Sequence, residues 1–554
     1  MSADRVIRRF HDDADAARFV ADGIWGEQTF AEIVDGWAAV DGEKLAIADQ
    51  TVRWSYAQLR DISLRLASVF VDLGVQPGDP IVVQIPSSAW LPAIHLAANR
   101  VGAVFVPMSS TWRHSEMSKL LPAVDPRVII VPRADDEFDH ADVVNGLRPL
   151  LPSLAGVIAL GDDDAAGVAA LVAAAEPLSA AEQSRRRTGP NAPSHVMCSS
   201  GTTGTPKASI WSDNNVLAAC GRQYASVIGL DPSDTAVGLA PANTGSTGYV
   251  FPVVAPLLVG ASAVLLEKWS PAAALNLIVQ ERCTVATAIP TQMVMLLDLD
   301  LEAADLSSLS RFNNAGAPLA PHTAETIERR MGCLVQTVYG ATDGGIPLMT
   351  SITDSENARR TSLGRVLPDE ELRLADALGH EVATGEVGEL WWRGANKSYG
   401  YLNQPDYDDL VWDQDGWYHS GDLGQIGDDG YVRIVGRTKD MILRGGTNIF
   451  PKETEELLLH HSAVSAVAVV AVPDERLGEQ ACAVVVVASG QTVTLADLTA
   501  FLTAKGLAKV KLPEHLILVP ELAVNTGGKL DKPVIQKEAA IALGRWVEPS
   551  EGSA

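Results

Sequence analysis

The densest chemical signal in the chain is the run SSGTTGTPK, which occupies positions 199–207. Its glycines let backbone N–H groups approach oxyanions closely, its hydroxyls add hydrogen-bond donors, and Lys207 supplies a cation. The Walker phosphate-binding pattern does not fit, because Lys207 stands three residues after the second glycine and Ala208 follows it. A flexible surface loop has a similar composition, but the run favours phosphate binding. The predicted phosphate-binding residues are Ser199, Ser200, Gly201, Thr202, Thr203 and Gly204.

The elements around this run predict a layered α/β fold. An apolar, strand-like segment at 195–198 leads into the run. Upstream, residues 56–73 are apolar at helical spacing, and short apolar strands follow within 80–86 and at 103–106. Because helices and strands alternate, we expect mainly parallel sheets that are covered by helices on both faces.

A second domain is predicted after Gly436. The sequence there contains a helix rich in glutamate, two apolar strands at 463–472 and 481–488, and a further helix near 495–505. These elements are enough for an independent α+β domain of roughly one hundred residues. The length of 554 residues also favours at least two domains.

The formal net charge of the chain is strongly negative, at −26. Such a charge repels phosphate backbones and anionic lipids, so we expect no nucleic-acid partner and no membrane partner, although local backbone dipoles still allow a small anion to bind. The five cysteines are dispersed and the N-terminus lacks an apolar signal-peptide core, which together predict a cytoplasmic protein with reduced thiols. Residues 162–193, with the run Arg185-Arg186-Arg187, are predicted to be a solvated connector rather than an anion site.

The 199–207 run resembles the signature of the adenylate-forming (ANL) superfamily, which includes acyl-CoA synthetases, peptide-synthetase adenylation domains and luciferases. Further motifs follow in the order of that family along nearly the whole chain. They are NAGAPL at 314–319, YGATD at 339–343, GEL at 388–390, RG at 393–394, GY at 400–401, WYHSGD at 417–422, GRTKD at 436–440, GGTNIFP at 445–451 and TGGK at 526–529. The chain is therefore identified as a member of this superfamily, of the acyl-CoA synthetase type.

The resemblance implies a division of labour between two domains. A large N-terminal domain, residues 1–438, would bind the adenylate and the acyl group through mainly parallel sheets covered by helices and a β-barrel-like lobe. A small, mobile α+β domain, residues 439–554, would follow, with Lys439 at the hinge. The mobile domain would present a late lysine in one pose and open a thiol tunnel in the other.

The reaction implied by the resemblance has two halves. A carboxylate attacks the α-phosphorus of ATP to give an acyl-AMP and pyrophosphate, and a thiol, usually that of CoA, then displaces AMP. Both steps build charge on phosphoryl or carbonyl oxygens, so they need placed cations and donors more than a nucleophile. The catalytic residues implied are Lys529, which would bridge the carboxylate and the α-phosphate, Thr342, which would hold the α-phosphate, and Lys207.

Contacts to the nucleotide and to CoA are implied at further positions. Asp422 would accept hydrogen bonds from the ribose hydroxyls and Arg437 would offer a fork of donors to AMP, although alone they are typical of a turn and of a surface ion pair. Tyr339 would stack on adenine; alone, it is typical of a core aromatic. The other contacts implied are Gly316, Ala317, Pro318, Gly340, Gly445 and Gly446, of which the last two would face the pantetheine arm, form a β-turn, or do both. The implied cofactors are ATP and AMP, CoA and Mg²⁺.

Two positions depart from the family pattern. Asp343 replaces the glutamate that helps to hold Mg²⁺, so this predicted metal residue keeps the charge but is one methylene shorter and would bind through water or more weakly. Residues 241–249 contain no histidine, where many relatives carry one near the incoming carboxylate. These departures raise a second hypothesis, that the enzyme mainly performs the thioester step on a preformed acyl-AMP. Lys207 and Lys529 count against it, because both serve adenylation.

A weaker resemblance concerns the acid. The segment GIWGEQTF at 23–30 is similar to ligases of cyclic acids, such as cyclohexanecarboxylate–CoA ligases and 2,3-dihydroxybenzoate–AMP ligases. The residues FDH at 138–140, followed by LRP at 147–149, are similar to the former type. The small residues around the expected pocket predict a bulky acyl group or, equally, only tight backbone packing. The predicted acyl-pocket residues are Asn243, Thr244, Gly245, Ala315, Gly344 and Ile346, with Gly316 and Gly340 beside them.

The function predicted from the sequence is an acyl-CoA synthetase for a bulky, cyclic carboxylic acid. Its expected partners are the acid or its acyl-AMP and CoA, and we expect a monomer or a homodimer. Two alternatives stay open beside the thioester hypothesis. One is a stand-alone adenylating enzyme that loads a carrier protein, and the other is an inactive nucleotide-binding protein, against which the retained lysines argue.

Overall fold

The computed structural model describes residues 13–132, 138–160, 167–199, 206–240, 244–524 and 530–546. The α-helices are α1 (Asp13–Ala21), α2 (Phe30–Val40), α3 (Tyr56–Asp72), α4 (Trp90–Arg100), α5 (His114–Val124), α6 (His140–Leu147), α7 (Val168–Ala174), α8 (Ala180–Arg186), α9 (Asp213–Leu217), α10 (Ala225–Ile228), α11 (Thr247–Tyr249), α12 (Ala255–Val259), α13 (Pro271–Gln280), α14 (Pro290–Leu297), α15 (Pro321–Met331), α16 (Glu356–Thr361), α17 (Pro405–Val411), α18 (Pro451–Leu458), α19 (Leu495–Ala504) and α20 (Lys532–Ala542).

The strands are β1 (Leu45–Ala48), β2 (Arg53–Ser55), β3 (Pro80–Val83), β4 (Val104–Pro107), β5 (Val128–Pro132), β6 (Gly156–Leu160), β7 (Pro193–Ser199), β8 (Lys207–Ser212), β9 (Thr235–Gly238), β10 (Ser262–Leu265), β11 (Val285–Ala288), β12 (Arg311–Ala315), β13 (Leu334–Ala341), β14 (Gly345–Met349), β15 (Arg365–Val366), β16 (Glu370–Ala375), β17 (Val387–Gly394), β18 (Tyr418–Ile426), β19 (Val432–Arg437), β20 (Ile442–Arg444), β21 (Thr447–Ile449), β22 (Val464–Asp474), β23 (Gly478–Val487) and β24 (His515–Leu518). Short 3₁₀ helices span Arg148–Leu150, Leu301–Ala303, Thr438–Asp440 and Lys509–Lys511, and π-helices span Ala218–Tyr224 and Val250–Val254.

Two large sheets carry most of the parallel pairing. A nine-stranded sheet has the order β15-β14-β13-β12-β11-β9-β10-β1-β2, and a six-stranded sheet has the order β6-β5-β3-β4-β7-β8. Neighbours from β13 to β1 and from β6 to β7 run parallel, while β2, β8, β14 and β15 pair antiparallel with their neighbours. Strands β3 and β4 are apolar and buried at every position, as expected where helices cover both faces.

Two smaller sheets complete the described structure. Strands β16 to β19 form a four-stranded sheet in chain order, and the β-barrel-like character of this lobe stays a prediction. The last sheet has the order β21-β20-β23-β22, with β24 paired to β23. Its long hairpin of β22 and β23 packs apolar side chains against α18, α19 and α20. The α/β class with mainly parallel sheets and a small α+β C-terminal domain is therefore confirmed.

The described residues divide into two compact units. The first comprises the described parts of Met1–Leu372 and Trp392–His419, and the second comprises those of Arg373–Trp391 and Ser420–Ala554. The boundary placed at 438/439 and the mobility of the second domain stay predictions.

The connector predicted over 162–193 is not a plain solvated segment. Helices α7 and α8 lie within it, and Val168 and Val172 of α7 are buried in the main core. Its arginines are occupied, since Arg186 bonds Glu182 and Arg187 bonds Glu32. The prediction was wrong here because the small apolar residues of α7 pack against α3, a contact that their composition alone does not reveal.

All five cysteines are free and buried. Among the helices that the structure describes, none combines the length and the apolar character needed to cross a bilayer.

Candidate active site

The phosphate-loop run begins and ends on a β-hairpin. Strands β7 and β8 pair antiparallel, and Ser199 stands opposite Lys207 in the register. The predicted phosphate-binding residues between them, Ser200, Gly201, Thr202, Thr203 and Gly204, lie outside the described residues. The two ends of the loop are therefore held together by a strand pair, and Lys207 is the first residue of the returning strand.

The returning strand β8 is also paired on its other edge. Tyr399 donates its N–H to the carbonyl of Ile210 at 2.7 Å, and Leu402 donates to the carbonyl of Ala208 at 2.8 Å. Tyr401 consequently stands opposite Ser209 in an antiparallel bridge. This backbone pairing brings the GY segment, distant in sequence, directly alongside Lys207.

Two aromatic rings hold the Lys207 ammonium. Its Nζ lies 5.2 Å from the centroid of the Tyr401 ring and 4.7 Å from that of the Tyr407 ring. Both distances are within the range of cation–π attraction. With respect to the residues that the structure describes, Lys207 makes no ion pair with a carboxylate, so its charge is available to an anionic ligand.

The carboxylate of Asp343 is held by two tyrosine hydroxyls. Tyr401 donates to Oδ2, and Tyr418 donates to Oδ1 at 2.8 Å. Burial, and then the charge of Asp343, raise the pKa of Tyr401 and of Tyr418 far above the ordinary phenol value. Both phenols therefore stay protonated at neutral pH and act as donors to the carboxylate.

The turn that carries Thr342 and Asp343 is anchored through its backbone. Ser209 of β8 donates its hydroxyl to the carbonyl of Thr342 at 3.3 Å. The indole N–H of Trp392 donates to the carbonyl of Gly344 at 2.7 Å. The structure thus brings Lys207, Thr342 and Asp343 together around one strand.

Close packing accounts for three of the small residues in the predicted acyl pocket. A Cβ on Gly344 would lie 2.7 Å from the Tyr418 ring, and one on Gly245 would lie 2.9 Å from the carbonyl of Pro107. A Cβ on Gly340 would collide with the carbonyl of Gly345. These glycines are required by their protein neighbours, so their size says little about the size of the acid.

The other pocket candidates are placed as follows. Thr244 is buried and donates its hydroxyl to the carbonyl of Met108 at 3.2 Å. Ile346 is buried, and its backbone bonds Asn396 at both N–H and carbonyl. Ala315 ends β12 and is partly buried, Gly316 follows it with φ of 84°, and Asn314 donates to the carbonyl of Ala317, which precedes Pro318. Asn243 lies outside the described residues.

Tyr339, predicted to stack on adenine, lies on β13 and is partly buried. Its ring meets that of Trp392 edge-on at 6.0 Å. Such a contact fixes one edge of the ring.

Two buried histidines contact Tyr249, which ends the segment 241–249 that lacks the family histidine. His195 of β7 approaches His95 of α4 at 3.4 Å, and His95 approaches the hydroxyl of Tyr249 at 3.1 Å. Burial lowers the pKa of His195 to about 3 and that of His95 well below its usual range. Both are neutral and enclosed, so neither substitutes as a charged group at the predicted carboxylate position.

The second unit contains the predicted ribose and AMP contacts. Asp422 of β18 and Arg437 of β19 stand opposite each other, and Nε of Arg437 donates to Oδ1 of Asp422 at 2.6 Å. The Arg437 side chain is 48 % exposed and that of Asp422 is 16 % exposed. A fork of donors and a carboxylate acceptor are therefore adjacent at the surface of this unit.

The predicted hinge and thiol residues follow in the same unit. Lys439 lies in the 3₁₀ turn Thr438–Asp440, where burial and then the charge of Arg437 lower its pKa. Gly445 and Gly446 form a two-residue hairpin turn between β20 and β21, with φ of 57° and 86°. Such a turn needs positive φ at both positions, which explains the glycine pair. The late catalytic candidate, Lys529, lies outside the described residues.

The donor set fits a magnesium ion that is held mainly by phosphates and water. The described residues contain no group of three or more His, Cys, Asp or Glu side chains that could hold a metal. Asp343 offers one partly exposed carboxylate, and each of its oxygens keeps a lone pair beside the tyrosine bond. One carboxylate plus substrate phosphates is a usual arrangement for Mg²⁺.

Sequence reasoning missed the parts played by Tyr401, Tyr407 and Tyr418. Tyr401 and Tyr418 lay inside recognised motifs, but they served only as markers of the family. Nothing in their spacing shows that positions 343, 401 and 418 meet at one carboxylate. The pairing of residues 399–402 with β8 brings Tyr401 beside Lys207, and Tyr418 reaches Asp343 separately from β18.

Comparison with known proteins identifies the family of the chain. The family model described as AMP-binding enzyme matches residues 34–402, and that of the AMP-binding enzyme C-terminal domain matches residues 453–529. The chain belongs to the AMP-binding enzyme family. Its motifs and fold are those of the ANL superfamily of adenylate-forming enzymes.

Several relatives of this AMP-binding enzyme cover nearly its whole length. The medium-chain fatty-acid–CoA ligase of Escherichia coli (strain K12) is 32% identical, over 96% of this chain and 94% of that protein. The 2-hydroxy-7-methoxy-5-methyl-1-naphthoate–CoA ligase of Streptomyces carzinostaticus is 31% identical, over 95% of each. The ATP-bound structure of MatB from Rhodopseudomonas palustris superposes with a TM-score of 0.83 at 26% identity, and the match covers 93% of this chain and 99% of that one.

Proposed function

We propose that this protein is an acid–thiol ligase that activates a carboxylic acid with ATP and transfers the resulting acyl group from acyl-AMP to CoA. The observation that carries the proposal is the convergence of Lys207, Thr342 and Asp343 around strand β8. The Lys207 cation and the Asp343 carboxylate, with Thr342 beside them, would then act next to the glycine-rich run at 199–207, which supports the proposal. Such a set suits a reaction in which charge is moved between phosphoryl oxygens.

In the adenylation half-reaction, an oxygen of the substrate carboxylate attacks the α-phosphorus and pyrophosphate leaves. We propose that Lys207 neutralises charge on the departing pyrophosphate, since two aromatic rings hold its ammonium without cancelling it. Thr342 would donate its hydroxyl to the α-phosphate, and Tyr339 would stack on adenine. Lys529 would bridge the two reacting groups. Each donor would then be in place before the charge develops, which is the main source of such stabilisation.

Mg²⁺ bound by phosphates and by Asp343, directly or through water, would supply neutralisation of the triphosphate charge. Asp343 would contribute by orienting its carboxylate between Tyr401 and Tyr418.

In the second unit, we propose that Asp422 accepts hydrogen bonds from the ribose hydroxyls and that Arg437 donates to the AMP moiety. The ion pair between them orients both side chains in advance. Gly446 would border the pantetheine arm of CoA, because a side chain added there would meet no protein atom within 4 Å. Lys439 would be the residue about which the C-terminal domain turns.

We propose a bulky, cyclic carboxylic acid as the substrate. Relatives support a ring: besides the naphthoate–CoA ligase, a Streptomyces salicylyl-CoA synthase / salicylate adenylyltransferase is 31% identical over 93% of this chain. The fatty-acid–CoA ligase of E. coli is as similar to this chain as the salicylate enzyme is, so the relatives by themselves do not distinguish cyclic from linear acids. The packed glycines give no independent support.

A second candidate function is the thioester step alone, on a preformed acyl-AMP. The specific observation in its favour is that both oxygens of Asp343 already accept hydrogen bonds from tyrosines, which reduces the charge left for a metal. The absence of a histidine in 241–249 points the same way.

The test is a panel of aromatic, alicyclic and linear acids with ATP and Mg²⁺, read by acid-dependent ATP–pyrophosphate exchange. In parallel, synthetic acyl-AMPs are supplied with CoA or with a phosphopantetheinylated carrier protein, and the products are identified by mass spectrometry. Exchange with ring acids followed by CoA thioesters is the expected result. Lys529→Ala should abolish exchange while it retains thioester formation from acyl-AMP.

Other outcomes separate the alternatives. Thioester from acyl-AMP without exchange for any acid would support the second candidate. Transfer of the acyl group to the carrier protein in preference to CoA would show that a carrier protein, and not CoA, is the acceptor. Nucleotide binding with neither half-reaction would refute both proposals and indicate an inactive nucleotide-binding protein.

A further inference from the structure

One tyrosine contacts both charged groups of the proposed adenylation site. The ring of Tyr401 lies against the Lys207 ammonium, with 5.2 Å between Nζ and the ring centroid, and its hydroxyl donates to the Asp343 carboxylate. The cation and the anion are therefore attached to different parts of the same side chain.

The position of Tyr401 is fixed from several directions. Its backbone pairs with β8 between Ala208 and Ile210, and its N–H donates to a carboxylate oxygen of Asp408 at 2.8 Å. Its side chain is 2% exposed, and its ring meets that of Trp412 edge-on at 5.5 Å. A tyrosine has only two side-chain torsions, so these contacts leave it little freedom.

Charge makes this placement useful. A lysine and an aspartate that share one site would pair with each other, and each would neutralise the charge that the other offers to a ligand. Here the Tyr401 ring contacts the Lys207 ammonium, and the Tyr401 hydroxyl donates a hydrogen bond to the Asp343 carboxylate. Tyr418 supplies a second donor to Asp343 from another segment, at 2.8 Å.

We propose that Tyr401 is a positioning residue that keeps Lys207 and Asp343 apart and oriented, so that both charges act on the nucleotide instead of on each other. This inference rests on the proposed adenylation reaction. The two contacts of Tyr401 can be removed separately, since the ring contacts Lys207 and the hydroxyl donates to Asp343. Tyr401→Phe removes only the hydroxyl, whereas Tyr401→Leu removes both contacts.

The first experiment measures kcat and KM in ATP–pyrophosphate exchange for Tyr401→Phe and Tyr401→Leu. In Tyr401→Phe, kcat should fall about tenfold, because a hydrogen bond to a carboxylate is lost, while KM for the acid should stay within about twofold of wild type. Tyr401→Leu should lose a further several-fold and raise KM for ATP, because Lys207 then collapses toward Asp343. Tyr399→Phe is the matched control: it removes another buried tyrosine hydroxyl from the same segment, and kcat should change less than about twofold.

A double-mutant cycle tests whether the hydroxyl acts through the carboxylate. In an Asp343→Asn background, Tyr401→Phe should change kcat by less than about twofold, since its partner charge is already gone. Fully additive losses would overturn the assignment of the hydroxyl to Asp343. Tyr418→Phe provides a second route to the same cycle if a Tyr401 variant folds poorly.

Chemical labelling of Lys207 tests the role of Tyr401 without relying on enzyme activity. The full-length protein is treated with a limiting amine-reactive ester, and labelling of Lys207 is followed by mass spectrometry. Tyr401→Leu should change the labelling rate at Lys207 several-fold, and Tyr401→Phe should leave it within about twofold, because only the former removes the ring. Equal rates of Lys207 labelling in wild type and both variants would overturn the positioning role of Tyr401. If the wild type shows no pyrophosphate exchange, the proposed function is refuted, and the labelling rates alone decide the role of Tyr401.

Discussion

Glu370 offers a test of how burial controls charge next to the predicted acyl pocket. The side chain is fully enclosed: Oε1 accepts from Nε2 of Gln223 at 3.1 Å and from the N–H of Asn396 at 3.3 Å, while Oε2 is buried without a hydrogen-bond partner among the described residues. Burial raises the pKa of Glu370 from 4.5 to about 8. The folded protein therefore holds a proton at neutral pH that the unfolded chain releases.

The sign and size of the pH dependence follow from this difference. Between pH 4.5 and about 8 the folded state binds the extra proton, so the free energy of unfolding falls as the pH rises, by about 1.4 kcal/mol per unit. Below this window both states are protonated, and above it neither is. From about pH 5.5 to about pH 7.5 the loss is about 3 kcal/mol. The nearby Lys397, whose pKa burial lowers to about 8, remains mainly charged in this interval.

The perturbation is Glu370→Gln, which keeps an acceptor for Gln223 and Asn396 but cannot titrate. The assay is urea unfolding, followed by tryptophan fluorescence, of wild type and variant across this pH interval. The difference in unfolding free energy should move by about 3 kcal/mol in favour of the variant as the pH rises. Glu371→Gln is the control, since the neighbouring carboxylate is 55% exposed and bonds Arg393. Parallel pH profiles for wild type and Glu370→Gln would show that Glu370 is ionised in the folded protein and would refute the reasoning.

Three further substitutions test packing, nucleotide contacts and the thiol step. Gly344→Ala places a Cβ 2.7 Å from the Tyr418 ring, so urea unfolding should show a loss of about 1–3 kcal/mol with slower pyrophosphate exchange, and a variant as stable as wild type would contradict the packing argument. Arg437→Ala removes the partner of Asp422 and should raise KM for ATP about tenfold in exchange kinetics, with Arg437→Lys intermediate; an unchanged KM would remove Arg437 from the nucleotide site. Gly446→Ala strains a φ of 86° at a cost of about 1–2 kcal/mol and should slow thioester formation from supplied acyl-AMP more than exchange, whereas equal slowing would count against the thiol-arm assignment.

Local sequence patterns predicted the elements well where burial is continuous. The helix expected over 56–73 is α3, and the apolar strands expected within 80–86 and at 103–106 are β3 and β4. The glycine pair expected as a turn or a thiol contact is a hairpin turn with positive φ at both positions. These predictions succeed because side-chain periodicity and turn geometry depend on residues that are neighbours in the chain.

The same patterns did not predict the structure of segments whose burial depends on contacts with residues far away in the chain. Residues 162–193 were expected to be a solvated connector, yet α7 buries Val168 and Val172 against the core. The small residues at 245, 340 and 344 left open whether the pocket is wide or the backbone is crowded. Only the structure shows the atoms that occupy the space beside each glycine.

The amino-acid sequence by itself determined the family and the α/β class, and it singled out the charged residues proposed for the reaction, because ordered motifs persist along nearly the whole chain. It did not determine which side chains keep those charges apart. Tyr401 contacts both Lys207 and Asp343 because residues 399–402 pair with the edge of β8. Such pairing depends on the register of segments nearly two hundred positions apart, and no local pattern encodes it.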